Sequence, residues 1–443
     1  MRSRKVPLVT FLGASLLLAA CGSSSAVSSK VTSTTASSSS SIHGSVTLAA
    51  VAPFSGSSAF IGLIQNAAIY TAANEINAAG GILGHKLVPQ DVNTTGDPAD
   101  ALPAVDKFLA TTSNILGVLG PGTNSGPLLA PIFNSHHIVM MSQAGETSFD
   151  HNTLPYFWRP VPSDAATGVG MAIYAHSKGW TTAATVFGSD AGSQGDLPGV
   201  VAGAKAEGIK IVASENVQLD QPSYASEVAR VIAAHPQVIF SEADPTTSAT
   251  FFSELIHQTS QPIHVVFTPV ILESSYLNAV RGAVGASRFA SLYRTVSNEP
   301  TATGPAGKDY NSWLLKSGAN VPKPQQWVNN PHSMAVYSMS MIMALAATEA
   351  HSISGAAYNK DIMSVTSAGS GKTPVYTYAQ GVKLINEGKK IQYIGTFGPL
   401  SFNQYHNAGD AEVVETYSTS GSWQTLHTIS AAKVNAVNVS GVQ

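Results

Sequence analysis

Only one cysteine, Cys21, occurs among the 443 residues. No disulfide can close within the chain, and a zinc centre built on several thiolates is excluded. Charge is also scarce: Asp, Glu, Lys and Arg make up 11% of the residues, with a net charge of −3. A nucleic-acid partner would need a clustered basic surface, so none is expected. No H-E-x-x-H, G-x-S-x-G or Walker A pattern is present. The only paired histidines, His136-His137, are sequence neighbours whose side chains diverge on any regular element. Neither catalysis nor a metal or other cofactor is expected. Long apolar runs are missing beyond the N-terminus. Met334 to Ala350 comes nearest, but Ser338, Ser340 and Glu349 interrupt it, and it reads as a buried helix rather than a membrane span.

What is present is a large apolar fraction, 44%, enough for a sizeable core. At roughly 100–200 residues per domain the length predicts two domains. Arg2, Arg4 and Lys5 precede an apolar stretch from Val6 to Ala20, the pattern of an export leader. It ends in Leu18-Ala19-Ala20-Cys21, which resembles the bacterial lipoprotein box, so residues 1–20 are expected to be removed and Cys21 lipidated. Acyl chains would then hold the protein on the membrane surface by burying their methylenes. Residues 21–45 are dominated by serine and threonine and read as a tether, because they offer too little apolar surface to offset the entropy of ordering.

From Val46 onward strands and helices alternate. Val46 to Val51 reads as a strand, Ile64 to Ala78 as a helix with Ala68, Ile69, Ala72 and Ile76 on one face, and Leu87 to Val92 as the next strand. The alternation continues through Ile115 to Leu119 and Ile138 to Met141, then resumes after Arg159-Pro160-Val161-Pro162 with strands at Thr185 to Phe187, Ile209 to Val212, Val238 to Phe240 and His264 to Phe267. Such alternation predicts an α/β fold with two doubly wound, Rossmann-like parallel sheets. Two such lobes would form a cleft at the carboxyl ends of their strands, where open α/β sheets bind ligands.

Several segments, in this order, resemble the type I solute-binding proteins of ABC importers, and most closely the leucine/isoleucine/valine-binding branch. They are Val51-Ala52-Pro53-Phe54-Ser55-Gly56, Asn74 to Gly84, Asp97-Pro98, Gly120 to Ser125, Asp190 to Gly195 and Gly398 to Phe402. The likeness spans essentially the whole mature chain. It implies that the chain passes between lobes three times, near Pro160, near Val296 and near Phe397 to Phe402. Lobe 1 would hold 46–160 plus 297–397, and lobe 2 would hold 161–296 plus 398–443, joined by a three-stranded hinge that permits closure.

Four constellations are candidates for the ligand site. The loop Gly120 to Pro127 runs from a strand into a helix N-terminus, whose unpaired amides suit an anion. The resemblance implies that it receives a ligand carboxylate, with Thr123, Asn124 and Ser125 adding hydrogen bonds; a plain turn with Ser125 as helix cap is the other reading. Ser142-Gln143-Ala144-Gly145-Glu146-Thr147 would face the same carboxylate, although Glu146 would repel it. In lobe 2 the family usually stacks an aromatic ring on the ligand where this chain has Gln194. Amino-acid-binding relatives carry an acidic residue after the strand that here leads into Thr268-Pro269-Val270-Ile271. Either Glu242 or Asp244 serves an ammonium group in its place, or the ligand is not an α-amino acid. Phe60 is a further candidate for closing the cleft.

The resemblance implies a monomeric, lipid-anchored extracytoplasmic protein that traps a small solute, by default an amino acid, and hands it to an ABC permease. A sensor that reports to a membrane receptor is the alternative.

Overall fold

The computed structural model describes residues 42–56, 58–297, 304–409 and 411–439. The expected leader, Cys21 and the tether as far as residue 41 lie outside the described residues. The last part of the expected tether is already tied to the fold. Asn114 Nδ2 donates to His43 O at 2.7 Å and to Ser45 O at 3.2 Å, and Ile42 packs on the first core.

The first sheet is wholly parallel. It comprises β1 (Val46–Ala52), β2 (Leu87–Asn93), β3 (Ile115–Leu119), β4 (Val139–Met141) and β5 (Phe157–Trp158), in the order β2-β1-β3-β4-β5. Along β1 successive side chains alternate between two cores. Val46, Leu48 and Ala50 enter one, and Ala49 and Val51 enter the other. A strand covered on both faces must be apolar without interruption, which is why this segment shows no polar alternation. The intervening helices are α1 (Ala59–Ala78), α2 (Pro98–Thr111) and α3 (Gly126–Ser135). The helix α1 begins ahead of the expected Ile64 because Gly62 lets its first turn lie on Pro53. A Cβ at Gly62 would come within 2.5 Å of the Pro53 carbonyl oxygen.

The second sheet starts with β6 (Thr182–Gly188), β7 (Lys210–Val217), β8 (Val238–Glu242), β9 (His264–Phe267) and β10 (Tyr293–Ser297). A small parallel pair, β11 (Thr373–Val375) and β12 (Ile391–Tyr393), belongs to the first lobe's core. The antiparallel strands β13 (Glu412–Tyr417) and β14 (Trp423–Ile429) then complete the second sheet in the order β14-β13-β10-β9-β8-β6-β7. Its helices include α4 (Asp164–Ser177), α5 (Ala191–Gln194), α6 (Leu197–Ala206), α7 (Ala225–Ala233) and α8 (Pro245–Gln258). Val265 and Phe267 enter one core of this lobe and Val266 the other, so both sheets are doubly wound.

The helix Pro331–Glu349 is buried on every side from Ser333 to Thr348, inside the first lobe. Ser340 and Thr348 bond within the helix, donating to Val336 O and Ala344 O, while Ser338 pairs with Thr396 outside it. No helix among the described residues is long and apolar enough to cross a membrane.

The chain moves from the first lobe to the second just after β5, around Arg159 to Ser163. It returns beyond Ser297, since Tyr310 packs in the first core; residues 298–303 lie outside the described residues. Leu400, Phe402 and Ala408 still belong to the first core, whereas Val414 belongs to the second. We therefore place the third passage between Ala408 and Glu412, later than the expected Phe397 to Phe402. Trp158 holds that segment back, meeting the Phe402 ring edge-on at 5.0 Å and stacking on His406 at 3.7 Å.

Candidate functional site

The carboxyl ends of β3 and β4 present two loops that are tied together. Ser142 Oγ donates to Pro121 O at 2.5 Å and accepts from Ala144 N at 3.0 Å. A hydroxyl has one proton, and here it is used between the loops, so Ser142 acts as a brace. This replaces its expected role as a direct donor to a ligand.

Beyond the brace the loops differ in what they offer. Ser125 is 3% exposed and occupies the cap position of α3, yet its side chain makes no capping bond. The plain-cap reading therefore loses its main support, and the hydroxyl sits at the positive end of the helix dipole. Thr123 is half-buried and Asn124 exposed on the same turn. Ala144 is buried in the core beneath, near Gly126. The Glu146 carboxylate accepts from Ser148, and loss of solvation pushes its pKa up. Thr147 is exposed at the start of a short 3-10 turn, Thr147–Phe149.

Gly145 is one point where the lobes touch; at another, Asn330 Nδ2 of the first lobe donates to both carboxylate oxygens of Glu273, at 3.2 and 3.1 Å. The Gly145 carbonyl accepts from Asp164 N at 2.6 Å and from Arg159 Nη1 at 3.2 Å. A Cβ at Gly145 would lie 1.7 Å from Asp164 Oδ1, and one at Gly195 would lie 2.3 Å from Asp164 Oδ2. Only glycine on both sides leaves room for that carboxylate. Arg159 anchors the junction, donating to Glu146 O at 3.0 Å and to Asp150 Oδ1 at 2.6 Å. Ser163 Oγ donates to the other oxygen of Asp150 at 3.0 Å.

Behind Asp164 lies a group of carboxyls in the second lobe: Asp196, Glu242 and Glu412. Glu242, the last residue of β8, is 9% exposed and accepts from Thr268 Oγ1 at 2.5 Å. Burial, then the nearby charges of Asp164 and Asp190, push its pKa up to about 8, against the hydrogen bonds from Thr268 and Asp196. Asp164 is raised to about 7, first by loss of solvation, with Arg159 opposing and Glu146 and Asp150 assisting. Asp196 is raised further by burial and by Asp164 and Glu242. Asp164 and Glu242, both raised chiefly by burial, thus hold their protons more tightly than ordinary carboxyls. Thr167 Oγ1 donates to Glu412 Oε1 at 3.1 Å. No group among the described residues is arranged to hold a metal ion.

The two acidic candidates thus separate. Glu242 joins the buried carboxyl group, whereas Asp244 caps α8, accepting from Thr246 N at 2.8 Å and Thr247 N at 3.1 Å. The capping bonds use only Oδ1; Asp244 Oδ2 is buried and meets no hydrogen-bond donor among the described residues, so it stays a candidate ammonium partner. Gln194 closes the short helix α5, and its amide donates to Gly188 O at 2.5 Å, so it too is engaged within its own lobe. Val270 is half-buried in the turn Pro269–Leu272 and packs on the second core. Phe60 is half-buried in the first turn of α1, on the side of the sheet where β1 ends.

Sequence reading passed over Asp164, Asp196, Arg159 and Glu412. The signal for Asp164 was its place directly after Ser163, which is the cap of α4. The contact with Gly145 and Gly195 is long-range and has no signature in spacing.

A family model described as periplasmic binding protein matches residues 45–387. A Leu/Ile/Val-binding protein from Rhizobium johnstonii is 36% identical over 83 residues, a stretch covering 18% of this chain and 22% of that relative. Among solved structures, a branched-chain amino acid transporter substrate binding protein from Streptococcus pneumoniae, in complex with isoleucine, aligns with a TM-score of 0.67 at 15% identity over 86% of this chain and 99% of that one. A solute binding protein from R. palustris in complex with benzoate gives 0.68 at 12% identity over 87% and 97%. A fatty acid ABC transporter substrate-binding protein from Thermomonospora curvata gives 0.69 at 12% identity over 90% and 95%. At these identities the likeness is one of fold.

Proposed function

This chain belongs to the periplasmic binding protein family, and from that premise we propose that it captures a small carboxylate-bearing solute, by default an amino acid, between its lobes and delivers it to an ABC permease. The observation that carries this reading is the junction at Gly145. There the loop braced to the α3 N-terminus meets the buried carboxyls of the second lobe. An anion is favoured at the helix end by unpaired amides and the dipole. A cation is favoured a short distance away, where Asp164 and Glu242 would give up their protons to meet it. A solute with both charges would bridge the lobes and select the closed arrangement. The ligands named for the structural relatives range from isoleucine to benzoate and a fatty acid, so fold alone does not choose among them.

The deciding experiment is a thermal-shift screen of the purified protein against amino acids, amides, short carboxylic acids and polyamines. Binding to the folded state raises the melting temperature with the logarithm of ligand concentration. A shift by a zwitterionic amino acid supports the reading; a shift confined to polyamines overturns the anion half of it. We also propose, from the sequence, that the chain is exported and anchored through Cys21. Cys21→Ser is expected to move the protein from the membrane fraction to the soluble extracytoplasmic fraction, and retention on the membrane would contradict the anchor.

A further inference from the structure

At the strand order β2-β1-β3, neighbours of β1 lie on both sides, and the crevice between the ends of β1 and β3 is the topological switch point of the first sheet. A glutamine sits there. Gln65, in α1, is 6% exposed, and its carboxamide lies against the first residue beyond β3. A Cβ built on Gly120 would meet Val51 O at 2.5 Å, Gln65 Nε2 at 3.0 Å and Gln65 Oε1 at 3.6 Å. The side chain therefore fills the space between the two strand ends, beside the Gly120-Pro121 segment that Ser142 braces. Buried carboxamides are ordinarily paired, because leaving one unpaired forfeits its hydration. Gln65 Oε1 is buried and meets no hydrogen-bond donor among the described residues. The braced loop holds a second case, since Gln143 Nε2 is buried without an acceptor.

The neighbours of Gln65 along α1, Ile64, Ala67, Ala68 and Ile69, are apolar and buried. A lone acceptor kept at such a place, at the crevice where ligands enter this class of sheet, points to a partner that arrives from outside. We infer that Gln65 is a specificity-determining residue of the cleft, its carboxamide oxygen accepting a hydrogen bond from an N–H or O–H group of the bound solute. This rests on the proposed binding function and sharpens it. The solute carries a donor as well as a carboxylate, as amino acids and hydroxy acids do, and plain carboxylates are disfavoured because they would leave the oxygen unpaired.

The test compares the full chain with Gln65→Leu by calorimetry and thermal shift. Its donor-bearing probes are L-isoleucine, L-leucine and 4-hydroxybenzoate, and its donor-free probes are benzoate and octanoate. The expected result is that a donor-bearing probe binds the unaltered protein and loses roughly tenfold or more in affinity to Q65L. The ligand-free melting temperature should stay the same or rise, as an unpaired buried acceptor has been removed. Equal affinity in Q65L, within about twofold, overturns the inference and leaves the binding function standing; it would mean that Gln65 is served by internal water. Preferential binding of benzoate or octanoate overturns the donor requirement alone. No shift with any probe removes the amino or hydroxy acid reading, and this inference with it. If Q65L does not fold, Gln65→Met, close in shape and also lacking the acceptor, takes its place.

Discussion

Ser142 and Ser125 carry the same hydroxyl to different ends. One closes a circuit between two loops, and the other lies buried at a helix terminus without a capping bond. Replacing Thr123 and Ser125 together by alanine is expected to weaken solute binding by about 1–3 kcal/mol, measured by calorimetry, if each leaves a buried ligand oxygen unpaired. Unchanged affinity would remove this loop from the site. Glu242 makes a separate prediction through pH. Its folded pKa of about 8 stands above the ordinary value of 4.5, so the folded state holds a proton that the unfolded chain releases. The stability linked to that proton is fully present below 4.5 and is lost as pH rises through about 8. Glu242→Gln, which cannot ionise, is expected to match the unaltered protein near pH 4.5 and to melt higher near pH 9. The gain would be about 2–4 °C for each kcal/mol recovered. A gap that shrinks as pH rises would contradict it. At this scale the site was only partly legible. A residue's type and its place at a strand end marked Ser125 and Glu242. Spacing did not reveal that Asp244 faces its own helix, or that Asp164 sits between two glycines from distant loops.

Helices and strands were far more legible, because their periodicity is local. His264 to Phe267 was expected as a strand and is one, and Gly80 and Gly81 take the positive φ that ends α1. What periodicity could not convey is how closely two helices approach. Helix α4 and α6 meet through glycines: a Cβ at Gly199 would come within 2.0 Å of Ala165 O, one at Gly168 within 2.2 Å of Asp196 O, and one at Gly203 within 2.8 Å of the Ala172 side chain. Because Asp164 opens α4 and Asp196 caps α6, this contact sets the spacing of the carboxyls in the site. Gly199→Ala is expected to destabilise the protein by about 1–3 kcal/mol in urea titration, since backbone must move to admit the methyl group. It should also shift the pH profile of melting; a change in stability without that shift would uncouple the helix pair from the carboxyls.

For the molecule as a whole, the first and third passages run side by side. Arg159 N donates to His406 O at 2.9 Å and Ala408 N to Arg159 O at 2.8 Å, while Asn407 Nδ2 donates to Phe149 O at 2.9 Å. Coupled passages restrict the lobes to hinge-like closure. A saturating solute is therefore expected to reduce the radius of gyration in small-angle scattering, with no change in helix content; an unchanged radius would argue that binding does not close the cleft. The interleaved chain has a second consequence, which concerns time. Val46, Leu48 and Ala50 share a core with Tyr310, the 334–347 helix segment and Tyr393, but the ribosome makes the whole parallel part of the second sheet in between. Synthesis proceeds from the N-terminus. One face of the first sheet thus waits half-covered until most of the chain exists, so the first lobe cannot complete its core before the second lobe's parallel strands have been made.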